Sequence, residues 1–179
     1  MTELSNAESA LLGLLSEQPM YPYQIEQEVK FRDMRSWTEL SMSSIYKLLT
    51  KLEKAGLVNR RDEIAENRLR KLYSISDAGR EALQTKLTTL LREPEHIRWQ
   101  VDIATYNCDL LPVATVREAL TDYRKKLEEN IKCYEELRKF MQGIGCPANR
   151  LSVAIRPVYL FKGEIEWVDA FLAELPEGD

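Results

Sequence analysis

Between residues 41 and 62 the chain reads SMSSIYKLLTKLEKAGLVNRRD, and its polar side chains come in an order that suits one kind of chemistry. Ser43, Ser44, Tyr46, Lys47, Thr50 and Lys51 offer hydroxyls first and ammonium groups after them. Ile45, Leu48, Leu49, Leu52 and Ala55 recur at the spacing that holds one helical face against a core, so the polar stripe faces away from it. Hydroxyls beside the unpaired N–H groups of a helix N-terminus suit phosphate oxygens or base edges. Lysines neutralise phosphates whatever the sequence. Gly56 then ends the helix by accepting a left-handed backbone, and the segment runs on into Arg60 and Arg61. Taken alone, the stripe could equally be a solvated helical face, and the arginines ordinary solubilising residues.

Other chemistry is poorly supplied. His96 is the only histidine, and no acid or cysteine stands at a motif spacing from it. There is no GxSxG, HExxH, Walker or GxGxxG pattern. Glu128-Glu129 and Glu135-Glu136 fall on a long helical stretch where a solvated face is the default. Cys108, Cys133 and Cys146 are odd in number and form no CxxC pair, which argues against a metal site or disulfide framework and for a reducing cytoplasm. No enzyme, metal or cofactor is expected. No run of about eighteen apolar residues offers a membrane span, and MTELSNAESALLGLL lacks the basic leader of a secretory signal.

The elements that must position the stripe can be read on either side. The 179 residues, 44% hydrophobic, suffice for a real core. Net charge is −4, yet residues 41–80 hold nine Lys/Arg against five Asp/Glu; distribution sets the local field as much as the sum does. Asn6 is expected to cap a helix over 7–16 with Ala7, Ala10, Leu11, Leu14 and Leu15 inward. Pro19 and Pro22 interrupt it, and a second helix over 22–32 carries Ile25 and Val29. After a loop with Trp37 comes the striped helix. LVNRRDEIAENRLRKLYSIS reads as strand, polar turn, strand, with Leu69, Lys71, Tyr73 and Ile75 on one side of the second strand. Ser76 should cap a fourth helix. Three helices, a hairpin and a helix make a winged helix-turn-helix, whose third helix lies in the DNA major groove while the hairpin, or wing, reaches the backbone or minor groove.

These residues also carry a family likeness. ALLGLLSEQPMYPYQIEQEV, SSIYKLLTKLEKAGLV and RKLYSISDAGREAL, in that order across roughly 7–83, resemble the PadR family of bacterial transcriptional regulators. The chain departs in having Pro22 where the family usually has Gly, and Lys47 where it usually has Pro, so the family's operator preference does not carry over. The resemblance implies a homodimer, often a repressor, with Tyr23, Tyr46 and the wing's basic residues (Arg60, Arg68, Arg70 and Lys71) at or near double-stranded DNA.

The second half reads as a long-helix unit. Over 113–141, Val116, Leu120, Tyr123, Leu127, Asn130, Tyr134, Leu137 and Met141 alternate steps of four and three, a heptad seam. A helix of about 28 residues, ~42 Å long, is too long for its own small domain to cover. GIGCPANR breaks it, and a last helix offers Leu151, Ile155, Val158, Ile165, Val168, Leu172 and Leu175, with Pro157 either kinking it or marking its start. The seam is expected to pack against a second copy through Leu120, Tyr123, Leu127, Tyr134, Leu137, Ile155, Val158, Ile165, Val168 and Leu172. The alternative is an intramolecular helical hairpin packed on the first domain. Asn130 would set register or sit at the seam's wet edge. The ending GEIEWVDAFLAEL looks like the C-terminal signature of the family's virulence-activator branch, which leaves activation open beside repression.

The fold class expected is therefore mainly α with a small β-hairpin: a winged helix-turn-helix DNA-binding domain over 1–92, then a helical dimerisation domain over 93–179. Some PadR-like proteins sense planar aromatic effectors, and by that resemblance Trp37, Trp99, Tyr106 and Trp167 could line a groove in which Arg98 pairs with a carboxylate. Aromatics at helical spacing are as readily core. A rival reading keeps the scaffold but gives the basic stripe an acidic protein partner.

Overall fold

The computed structural model describes residues 3–65 and 68–176, and of Met42, Ala65 and Arg68 the backbone only. The chain divides into two units, Met1–His96 and Ile97–Asp179.

In the first unit, α1 spans Asn6–Glu17, α2 Pro22–Phe31, α3 Met42–Lys54 and α4 Asp77–Arg92, with β1 (Val58–Ala65) and β2 (Arg68–Ile75) between α3 and α4. The start of α1 corrects the expected cap. Ser5, not Asn6, holds the N-cap, because Glu8 stands three residues after Ser5. The Ser5 hydroxyl accepts from the Glu8 N–H at 3.2 Å, and the Glu8 carboxylate accepts from the Ser5 N–H at 2.8 Å, a capping box. Either residue type can cap; the glutamate decides. Leu11, Leu12, Leu14 and Leu15 of α1 are buried with Ile25, Val29, Ile45, Leu49 and Leu52 of α2 and α3, while Ala7 and Ala10 are only partly covered.

Gly56 sits at φ +71°, where a side chain would be strained, and turns the chain from α3 into β1. The strands pair antiparallel from Val58↔Ile75 out to Ala65↔Arg68. Met20, in the loop before α2, exchanges two backbone hydrogen bonds with Tyr73 at 2.9 and 3.0 Å, which ties the base of the wing to the helical body. At the other end of β2, the Ser76 hydroxyl caps α4 through the Gly79 N–H at 3.0 Å and donates to the Gly56 carbonyl at 2.7 Å. A Cβ at Gly79 would lie 2.0 Å from the Leu57 carbonyl oxygen, so α4 can pack here only over a glycine.

In the second unit a short helix, α5 (Gln100–Tyr106), precedes two long ones, α6 (Val113–Gly143) and α7 (Ala148–Glu174). Pro147 caps α7 and the helix runs through Pro157. Pro157 therefore does not mark the start of the helix, and the apolar face of α7 outweighs the lost backbone donor. The two helices close on each other within one chain. Val116, Leu120, Leu127, Val158 and Val168 are buried between them, Tyr134 meets Phe161 with ring centroids 5.9 Å apart, and the Tyr123 hydroxyl donates to Glu164. Arg124 pairs with Asp169 at 2.7 Å. Arg117 donates to the carbonyls of Leu172, Leu175 and Pro176 at 3.2, 2.7 and 3.0 Å, covering the free end of α7. Among the described residues no helix is long and apolar enough to cross a membrane.

Candidate nucleic-acid interface

The front of α3 is built by its own serines. Ser41 caps the helix, its hydroxyl accepting from the Ser44 N–H at 3.2 Å, while the Ser44 hydroxyl accepts from the Ser41 N–H at 2.8 Å and donates back to the Ser41 carbonyl at 2.7 Å. Ser44 is thus engaged in holding the helix end, and the hydroxyl of Ser43, exposed beside it, shares a hydrogen bond of 3.2 Å with that of Ser41. One turn on, Tyr46 is 58% exposed. Thr50 donates to the Tyr46 carbonyl at 3.0 Å, leaving its oxygen lone pairs outward.

Ion pairs divide the basic residues. Lys51, counted with the outward stripe, reaches back to Glu8 at 2.7 Å, and the Glu8 side chain is 3% exposed. Burial pushes Glu8 up, but hydrogen bonds from Lys51 and from Ser5 outweigh it and hold its carboxyl below the usual range. Arg60 lies between Glu53 (3.2 Å) and Asp62 (2.9 Å), and Arg61 pairs with Glu63 at 2.9 Å. Among the described residues, Lys47, Lys54 and Lys71 make no ion pair. Arg70 takes another environment: its guanidinium carbon lies 5.1 Å from the Tyr23 ring centre and 5.7 Å from that of Tyr21, within cation–π range. The side chain of Arg68 lies outside the described ones.

Tyr21 is the residue that sequence reading passed over. Its ring stacks on Tyr23 with centroids 5.7 Å apart and planes 9° from parallel, and its hydroxyl donates to Glu63 on the wing. That bond lowers the Glu63 carboxyl and raises the Tyr21 phenol. The available signal was the YPY triplet, where a proline at the first turn of α2 presents tyrosines on both sides. With Tyr46 and Thr50 of α3 and Leu69, Arg70, Lys71 and Tyr73 of β2, the pair lines a cleft of about 440 Å³ between helices and wing. Hydroxyls, aromatic faces and cations converge there, which suits an anionic, partly aromatic polymer.

The five aromatic-groove candidates are distributed over both units. Trp37 closes the turn after α2 in the first unit and is 54% exposed. In the second, Trp99 heads α5, Tyr106 ends it, and Arg98 is exposed just before it. Trp167 instead stacks on Phe171, ring centres 6.0 Å apart, against the Val116–Leu120–Val168 cluster. Among the described residues no group of three or more His, Cys, Asp or Glu is placed to hold a metal ion.

The order of three helices and a hairpin, with a polar third helix and a cleft against the wing, defines a winged helix-turn-helix protein. Residues 11–85 match the transcriptional regulator PadR-like family, so the first unit of the chain is similar to the regulators of that family. No curated protein matches the chain in sequence. Solved structures share its fold. Bacillus subtilis PadR in complex with operator DNA is 20% identical with a TM-score of 0.72, over 93% of this chain and 97% of that one. The same protein in complex with p-coumaric acid gives 20% and 0.73, over 93% of each chain. The Vibrio cholerae virulence activator AphA gives 20% and 0.64, over 94% of this chain and 97% of that one.

Proposed function

We propose that this protein is a cytoplasmic, sequence-specific DNA-binding regulator that acts as a homodimer on an inverted-repeat operator, residues 1–92 reading DNA and 93–179 dimerising. The observation that carries the reading is the cleft where Tyr23, Tyr46, Thr50, Arg70 and Lys71 meet beside the outward face of α3. In this reading α3 enters the major groove with Ser43, Tyr46, Lys47 and Thr50 toward base edges and phosphates, Ser44 holds the helix end, and Arg60, Arg68, Arg70 and Lys71 track the backbone. The operator complex of the similar PadR supports it.

Dimerisation is supported by the apolar surface that the α6–α7 hairpin leaves open. Leu120, Leu127, Val158 and Val168 are covered within one chain, whereas Leu137, Phe140, Ile144, Val153 and Tyr159 are 41–71% exposed toward the turn between the helices. Exposed apolar side chains gathered in one region mark interaction surfaces. Repression relieved by a small aromatic acid is the regulatory mode we favour, with Arg98, Trp99 and Tyr106 of the second unit as candidate ligand contacts; the p-coumaric acid complex of PadR supports it. The AphA likeness supports activation as the alternative.

The pairing of Lys51, Arg60 and Arg61 with carboxylates of their own chain favours one second reading, a winged-helix scaffold that binds another protein. Selecting bound duplexes from a random pool at physiological salt separates the two. An enriched inverted repeat, with half-site centres about one helical turn or a multiple apart, supports the regulator. A pool recovered without enrichment supports the interaction module.

A further inference from the structure

The wing carries one feature that phosphate contacts do not use. Along β2, Leu69, Lys71, Tyr73 and Ile75 share a face, since side chains alternate along a strand. Tyr73 is buried in the core and Ile75 packs against it. Toward the turn, the same face ends in Leu69, 72% exposed, directly opposite Ile64 of β1, 80% exposed. Directly opposed residues point to the same side with Cβ atoms about 5 Å apart, so the two form one apolar knob. It projects about 13 Å beyond Tyr73, at roughly 3.3 Å per residue. Leu69 also lines the cleft, next to Lys71 and Arg70 and across from Tyr23 and Tyr46. The knob is therefore continuous with the polar surface assigned to DNA and bordered by cations.

We propose that Ile64 and Leu69 form an apolar wedge that enters the DNA minor groove beside the base pairs read by α3. The inference rests on the DNA-reading function proposed above. A minor groove about 6 Å wide admits side chains but not a two-stranded ribbon, and apolar side chains there part base steps and bend the duplex. The wedge selects for flexible pyrimidine–purine steps in the flank, at positions that no side chain reads by hydrogen bonding.

The test uses the full-length protein and its selected operator, with end-labelled duplexes reporting affinity by anisotropy and bending by energy transfer. Ile64→Ala with Leu69→Ala is expected to lose about tenfold in affinity with an unchanged salt slope, and to abolish the bend. Replacing the flanking pyrimidine–purine step with an A-tract should weaken the wild type and leave the double variant indifferent. The swap Ile64→Leu with Leu69→Ile keeps the bulk and should retain both bend and step preference, which a wing merely loosened by alanine would not explain. Equal affinity and equal bending for wild type and the double alanine variant overturn the wedge. A change of oligomeric state, or lost quenching by an aromatic acid with DNA binding intact, also overturns it and assigns the knob to a second copy or to the effector. A wild type that enriches no duplex refutes the DNA reading itself, a result distinct from the wedge failing on a genuine operator.

Discussion

Removing Lys51 separates a residue that reads DNA from one that holds the reader in place. Its ammonium lies 2.7 Å from Glu8, whose side chain keeps 3% of its surface in water, while Lys51 itself keeps 60%. Losing one partner of a fully buried pair costs about 3–5 kcal/mol, whereas exposed pairs are worth at most about 1 kcal/mol. Glu8 retains the Ser5 N–H, and Lys51 is largely solvated, so Lys51→Ala should cost about 2 kcal/mol at pH 7. For a unit of this size that is a fall of about 10 °C in melting temperature. The pH dependence carries a sign. Glu8 is held below its usual value in the wild type, so its stabilising contribution is complete above the unfolded pKa of about 4.3 and is lost as pH falls through the folded value. In Lys51→Ala burial acts on Glu8 without the ammonium, its pKa rises, and protonation relieves the penalty. The difference between variant and wild type should therefore shrink from pH 7 toward pH 4. Glu8→Gln keeps an acceptor for the Ser5 N–H and leaves Lys51 solvated, so the double variant Glu8→Gln with Lys51→Ala should be more stable than Lys51→Ala alone. Thermal melts followed by circular dichroism at both pH values complete the cycle. A Lys51→Ala protein that melts like wild type at pH 7 would refute the reasoning and return Lys51 to the outward stripe.

Three further outcomes follow from the same geometry. Lys47→Ala should flatten the salt dependence of operator binding by about 0.9 in log–log slope, whereas Arg60→Ala, whose guanidinium must leave Glu53 and Asp62 to reach a phosphate, should flatten it by less; anisotropy titrations between low and moderate salt compare them. Gly79→Ala sets a Cβ 2.0 Å from a backbone oxygen and should destabilise the first unit by about 3 kcal/mol or more, seen in urea unfolding, while Ser76→Ala, which removes the cap alone, should cost about 1 kcal/mol. Burial, joined by the bond to Glu164, pushes the Tyr123 phenol up to about 12, so the neutral phenol supports the hairpin fully below the unfolded value of about 10 and that support is lost as pH rises through 12. Tyr123→Phe should cost about 1 kcal/mol and remove that alkaline loss, and spectrophotometric titration of the tyrosinate band reads the shift directly.

What could be read from sequence was local. The period of Ile45, Leu49 and Leu52 gave α3, alternation along β2 gave its two faces, and Gly56 and Ser76 marked ends because their backbone and capping needs are met by neighbours three or four residues away. Heptad spacing gave the apolar side of α6, but Leu120, Leu127, Val158 and Val168, expected to meet a second copy, are buried between α6 and α7 of one chain. The first cap was misplaced by one residue although the deciding glutamate is only three positions on. What escaped was non-local or weakly signalled. Nothing near Lys51 in sequence points to Glu8, 43 residues earlier. Nothing near Arg117 points to the carbonyls ending α7. α5 has seven residues and no side-chain cap, too few for a periodic pattern.

The basic balance of residues 41–80 therefore overstates what the surface offers to phosphate. Lys51 is drawn inward by α1, and Arg60 and Arg61 are matched by Glu53, Asp62 and Glu63, so a phosphate at those positions displaces a carboxylate rather than a hydrated ion. Such an exchange releases fewer counterions than a count of lysines and arginines implies, which weakens non-specific binding more than specific binding. In the proposed reading, discrimination then falls on groups that, among the described residues, have no carboxylate to give up: the hydroxyl of Ser43, the rings of Tyr23 and Tyr46, Lys47 and Lys71, and the apolar end of the wing. For the DNA reader proposed here, with a net charge of −4, charge pairing of this kind favours selectivity, because affinity has to come from fit rather than from field.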